Sequence, residues 1–159
     1  MKKLYLALKK SFTTQVSQGH LPNIYFDWEQ NQLGKYITGD NKVPIALFNV
    51  NHITYKNPFD RYPIGKMEIT LKVIFYKKLN DIDLNDHNLE NLRKIEALLK
   101  AVETDETGRL SIVRIEANSI SAYQDCFQYT LSSLYYPPLE KKRLKIYTRE
   151  TNLRSISME

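Results

Sequence analysis

Apolar and polar residues alternate through positions 66–76. Met67, Ile69, Leu71, Val73 and Phe75 are interleaved with Glu68, Thr70 and Lys72. Successive strand side chains point to opposite faces, so the pattern predicts a strand with one apolar and one wet face. Ile74 and Tyr76 make the second face less polar toward the end, which predicts that this end is covered. It is the longest clean alternation in the chain and predicts a central strand.

The rest of the chain can be read outward from that strand. Tyr5, Leu8, Phe12 and Val16, with Leu4 beside them, recur at helical spacing and predict an amphipathic helix over 2–18. Gly19 is placed to end it, and Pro22 prevents its continuation. Lysines at its start oppose the helix dipole, so packing must hold it. Residues 24–28 are a short candidate strand and 29–34 read as loop. The Gly39-Asp40-Asn41-Lys42 turn then introduces a buried strand over 43–50. Residues 51–65, with Pro58, Pro63 and Gly65, predict a long hairpin connection.

A second helix is predicted over 86–102, capped by Asn85 and stapled by Leu84 and Leu89. Its buried stripe is Leu89, Leu92, Ile95, Leu99 and Val102. Glu90–Lys94 and Glu96–Lys100 are favourable i,i+4 pairs. Strands follow over 110–117 and 126–136, and Pro137-Pro138 ends the last one.

Runs of strands broken by one helix predict the α+β class. The expected fold is a mainly antiparallel sheet of about four strands (43–50, 67–76, 110–117 and 126–136), with two helices packed on one face. A chain of 159 residues suits one domain. Residues 1–138 form that domain, and 139–159 form a basic C-terminal extension, flexible or bound to a partner.

Charge sharpens this division. The net charge is +5, and residues 140–159 hold six basic and three acidic side chains, so over half of the excess lies there. A nearly balanced body argues against a dedicated nucleic-acid face. The 11 tyrosines suit surfaces that a partner buries, although any single one also fits a half-exposed strand. One cysteine, Cys126, allows no disulfide within the chain. No apolar run reaches the roughly 18 residues of a membrane helix. The apolar run 4–8 ends at Lys9-Lys10, too short for a signal-peptide core.

Catalytic patterns are incomplete wherever they begin. His20, His52 and His87 match no metal spacing. Cys126 has no basic neighbour in sequence, which predicts an inert thiol. Asp81-Ile82-Asp83-Leu84-Asn85-Asp86 opens like a calcium loop, but Asp86 stands where Gly is needed and Leu92 where Glu is needed. A helix cap accounts for the same residues. Asp60 and Glu68 begin a metal-nuclease pattern that fails at Thr70, and Glu140-Lys141-Lys142 lies beyond the sheet. P-loop, nucleophile-elbow, dinucleotide and aromatic RNA-binding signatures do not occur. No complete ligand set exists for a metal or organic cofactor, so none is expected.

The element order resembles the small tail-terminator and tail-completion proteins of long-tailed bacteriophages. The matching features are an N-terminal helix, the strand 43–50, a Pro-containing loop and the long alternating strand 67–76. A middle helix follows, then two strands, the last with polar/aromatic alternation over 126–136. The resemblance covers residues 1–139. The basic extension and the length of 51–65 depart from the pattern.

The resemblance implies a structural protein without catalysis or cofactor. It would form a cyclic homo-oligomer, often a hexamer, that caps the tail-tube protein and docks to a head-connector or sheath protein. It would sit in the virion tail after assembly in the bacterial cytoplasm, or in the equivalent cap of a phage-tail-like injection machine. Neither membrane nor nucleic acid enters this reading. The alternative is a nucleic-acid-binding or processing module that uses the basic extension, and a third reading is an enzyme with an unrecognised site.

For the ring, the expected contacts are Tyr55, Phe59 and Tyr62 of the 51–65 loop and Lys141, Lys142, Arg143 and Lys145 of the extension. Their expected acidic counterparts are Glu103, Asp105 and Glu106, with Asp81, Asp83 and Asp86.

Overall fold

A computed structural model describes residues 1–29, 43–57, 63–76, 82–121 and 124–137. Its elements are α1 (Lys2–Ser17), β1 (Tyr25–Trp28), β2 (Ile45–Tyr55), β3 (Gly65–Tyr76), α2 (Ile82–Ala101), β4 (Ser111–Ser121) and β5 (Gln124–Tyr135). The five strands form one sheet in the order β1-β2-β3-β5-β4. β1 runs parallel to β2, and the other three pairings are antiparallel. The fold is therefore α+β with a mixed five-stranded sheet. The strand added to the expected four is β1, whose short run Tyr25–Trp28 pairs with Ile45–Phe48.

β3 is the middle strand, as its alternation predicts. Met67, Ile69, Leu71, Val73 and Phe75 are all buried on one face. Across β2 that face continues through Ala46 and Phe48, and across β5 through Phe127, Tyr129 and Leu131. Leu4, Leu8 and Phe12 of α1 and Leu92, Ile95, Leu98 and Leu99 of α2 close over the same face in one core. The opposite face holds a smaller cluster of Ile45, Leu47, Ile74 and Cys126, with Ile120 against it. Ile74 is thus covered, as its place at the less polar end of the strand predicts.

At the α1 corner the core is aromatic. Tyr5 stacks on Trp28 with ring centroids 4.6 Å apart, and Trp28 meets Phe48 edge-on at 5.0 Å. Phe12 stacks on Phe26 at 5.1 Å. Gly19 ends α1 with φ +72°, a conformation that costs a side-chain-bearing residue about 1–2 kcal/mol. The His20 N–H donates to the Gln15 carbonyl and the Gly19 N–H to the Val16 carbonyl, each at 3.0 Å. This pair of bonds satisfies carbonyls that the helix end would otherwise leave open.

Two expected boundaries move, and one expected core position changes. β2 extends through Tyr55, so residues 51–55 are strand, not loop. α2 begins at Ile82, which places Asn85 inside the helix rather than at its cap. Leu89 is 54% exposed, whereas Leu98 is buried. At about 100° per residue Leu89 lies some 60° beyond Leu92, at the margin of a stripe centred on Ile95. Asn88 and Asn91 take the core-facing positions of those first turns. The Asn88 Nδ2 donates to the Tyr76 carbonyl at 3.1 Å. Both polar atoms of the Asn91 side chain, and the Tyr129 hydroxyl, are buried without a hydrogen-bond partner. The Glu90–Lys94 ion pair forms at 3.0 Å on the exposed side.

Candidate interaction surface

β4 differs from the other long strands because β5 is its only partner among the described strands. Ile112, Ile115 and Ala117 lie opposite Leu131, Tyr129 and Phe127, on the face that the helices cover. The register slips between Ile112 and Arg114 and again between Ser119 and Ser121, which leaves Val113 and Ile120 as extra residues. Such bulges bend an edge and re-aim the side chain at the bulge. Val113 is 64% exposed and Ile115 44% exposed, at the rim of the helix-covered face.

Three further apolar side chains are exposed where β5 ends. Leu134 lies opposite Lys66, and Ile64 and Tyr136 adjoin the ends of β3 and β5. The same end is tied down by the turn after α2. The Tyr136 N–H donates to the Glu106 carbonyl at 2.8 Å, and the Gly108 N–H to the Leu134 carbonyl at 3.1 Å. The Ser133 hydroxyl donates to the Gly108 carbonyl at 2.7 Å.

That turn also resolves the fate of the expected acidic patch. The Lys3 Nζ lies 2.7 Å from Asp105 Oδ2 and 3.4 Å from Glu106 Oε1, and the Met1 amine lies 3.1 Å from Glu106 Oε2. Arg109 Nε pairs with Glu103 Oε2 at 3.3 Å. Glu103, Asp105 and Glu106 are thus ion-paired within the chain, whereas Asp81 and the side chain of Asp83 lie outside the described residues. Asp105 and Glu106 serve α1 instead, because carboxylates beside a helix N-terminus offset the unfavourable lysines there. The Met1 amine holds the Glu106 carboxyl below its ordinary range, and Lys3 does the same for Asp105. Hydrogen bonding to Asp105 raises the Lys3 ammonium in turn.

The sheet face turned away from the helices is polar at its centre. The β2 irregularity between Val50 and His52 brings Asn51 onto Thr70 and Glu68. Its Nδ2 lies 2.9 Å from Thr70 Oγ1 and 3.0 Å from Glu68 Oε1, while the Thr70 hydroxyl donates to Asn51 Oδ1 at 3.1 Å. Lys72 pairs with Glu29 beside them. These groups satisfy one another, so the network specifies register.

The residues with chemical potential are dispersed. Cys126 is buried, and burial pushes its thiol up, which suppresses the reactive thiolate. Burial pushes the Tyr129 phenol well above its ordinary value, with Glu96 adding to the effect. Among the described residues no group of three or more His, Cys, Asp or Glu could hold a metal ion. No helix of the described residues is long and apolar enough to cross a membrane.

Of the expected contact residues, Tyr55 is at the end of β2, half-buried rather than on a protruding loop. It lies opposite Gly65, and a Cβ added to that glycine would stand 3.1 Å from the Tyr55 ring. Phe59, Tyr62, Lys141, Lys142, Arg143 and Lys145 lie outside the described residues, as do Asp81 and the whole 139–159 extension. The exposed rim of β4 went unnoticed in the sequence. Its only signal there is Val113-Arg114-Ile115, where the first bulge leaves Val113 as the extra residue and Ile115 pairs with Tyr129 at the rim. The chain matches no protein-family model and no curated protein.

Proposed function

We propose that this chain is a structural subunit that assembles into a ring, caps a tail tube and docks to a head connector, or does the same in a phage-tail-like injection machine. The observation that supports this reading best is the apolar rim of β4 with Ile64, Leu134 and Tyr136 beside it. An exposed sheet edge with apolar neighbours is a template for pairing with another chain. The dispersed titratable groups and the internally satisfied polar face fit a structural subunit. Tyr55 remains a candidate contact at the sheet end, together with Phe59, Tyr62 and the basic residues Lys141, Lys142, Arg143 and Lys145 of the extension.

The test is co-assembly with a tail-tube protein from the same source. Tubes should stop at uniform length and carry a ring at one end by electron microscopy. Tubes that lengthen without limit and bear no ring at stoichiometric protein would overturn the proposal. Salt-dependent binding of DNA in place of tubes would favour the nucleic-acid reading.

A further inference from the structure

We propose that the edge of β4 turned away from β5, which pairs with no other described strand, receives the segment 144–149 of a neighbouring copy as a sixth strand. This deepens the ring reading by naming the contact between copies, although strand exchange itself does not require a tube.

β4 bonds to β5 on one side only among the described strands, and residues 113–118 are mostly exposed. Its two bulges bracket a regular stretch from Arg114 to Ser119 in which every residue is paired to β5. Bulges, charge and short length are the usual protections of an edge. Here the unbulged stretch is long enough for a five- or six-residue partner strand, and Ile115 within it is half uncovered.

The donated segment is legible in the sequence. Leu144, Ile146 and Thr148 alternate with Lys145, Tyr147 and Arg149. That period of two gives one β-branched or apolar face and one basic, aromatic face. Laid beside β4, Leu144 and Ile146 would cover Val113 and Ile115. Lys145 and Arg149 would fall on the face that carries Glu116 and Arg114, and only a register that seats a cation beside Glu116 avoids repulsion from Arg114.

Direction decides between the chain's own edge and a neighbour's. β5 ends at the end of the sheet where β4 begins, since Ser132 lies opposite Ser111. Reaching its own β4 would require the chain to reverse within residues 138–143 and pass the turn 104–108, whose Glu106 carbonyl already holds the Tyr136 N–H. Pro137-Pro138 opposes that reversal. A residue before proline is held extended, and Tyr136 and Pro137 both precede one. Tyr136 and Pro137 therefore favour an extended course that continues the direction of β5. Residues 138–143 then span up to about 20 Å, at roughly 3.3–3.6 Å each, enough to reach an adjacent copy. Main-chain hydrogen bonds supply affinity in such added strands, and alternate side chains supply specificity.

The test uses full-length chains with Cys126→Ser to remove the native thiol. One tagged population carries Ile115→Cys. Others carry Lys145→Cys, Ile146→Cys or Tyr147→Cys. Mixed in concentrated solution and oxidised, they should give cross-linked dimers of unlike chains, with the 146 yield several-fold above those of 145 and 147. Thermal melts check that each variant is folded, and Val113→Cys as a second acceptor covers a failure of Ile115→Cys. Equal yields at all three positions, or no dimer with either acceptor, would overturn the proposal. So would a link within one chain in the Ile115→Cys/Ile146→Cys variant, because the segment would then sit on its own edge. Alternating cross-links with uncapped tubes would defeat the tail reading and leave strand exchange standing. Capped tubes without cross-links would do the reverse.

Discussion

β3 and β5 flank each other in the middle of the sheet, whereas β4 uses residues of much the same kind at its edge. In β3 every second residue is sealed beneath α1 and α2. In β4 the corresponding row, Ile112, Ile115 and Ala117, is only partly covered, and Val113 is turned out by a bulge. Alternation thus states which side chains share a face. How deeply that face is buried depends on the distance from the sheet centre and on the reach of the helices above. A comparison of the two strands therefore separates residues that hold the fold from residues available to a partner.

The most direct way to break this comparison is to truncate one residue in each strand. Leu71→Ala should cost about 2–5 kcal/mol, because it empties a site sealed on all sides. Ile115→Ala should stay within about 0.5 kcal/mol in the isolated chain. Urea unfolding measures both, and equal losses would mean that β4 is as much core as β3.

Gly65 sharpens the contrast at the end of β3. An alanine Cβ there would lie 2.7 Å from Ile53 Cγ2 and 3.1 Å from the Tyr55 ring. Gly65→Ala should therefore cost about 1–3 kcal/mol through overpacking. Combining it with Ile53→Ala should recover part of that loss, since touching residues are not additive. Strict additivity in a double-mutant cycle would show that the crowding is not felt.

The helix-covered side also carries a defect. Asn91 is buried with both side-chain polar atoms unpartnered. Replacing an unsatisfied amide with an apolar group of similar size removes a desolvation cost of about 1–3 kcal/mol. Asn91→Leu should raise the thermal midpoint, and a fall would mean that the amide finds a partner in solution.

The smallest effect belongs to the exposed turn that holds α1. Glu106 and Asp105 have carboxyls held below their ordinary values in the folded chain. Such groups contribute stability above the unfolded value and lose it as the pH falls through the folded one. Stability should decline from about pH 5 downward. Glu106→Gln should flatten part of that decline while leaving the melting behaviour near neutral pH little changed. An unaltered acid limb in the variant would place the effect elsewhere.

Much of the fold was legible because its period is local. The α1 stripe, the Gly19 terminator, the central place of β3 and the α+β class follow from spacing and turn chemistry within a few residues. The start of α2 was misread because Asn85 is a good cap residue wherever it stands, and only the packed helix shows that the turn before it is helical too. The length of β2 was misread because its alternation weakens at Asn51, where an irregularity changes the register.

The candidate surface was less legible. Sequence pointed to Tyr55 and to an acidic turn awaiting a partner. Folding brought that turn to the start of α1 and used its charges there.

The sequence by itself determined which residues alternate, that α1 stops at Gly19 and β5 before Pro137-Pro138, and that the basic excess lies after Pro138. These depend on the chain's own periodicity and on backbone preferences of Gly and Pro. Only the tertiary structure decided that β1 joins in parallel, that β5 inserts between β3 and β4, and that β4 pairs on one side only among the described strands. Strand order depends on contacts between residues far apart in the chain. Local alternation marks β3 as central, but no local pattern encodes which strands flank it or that β4 rather than β5 lies at the edge.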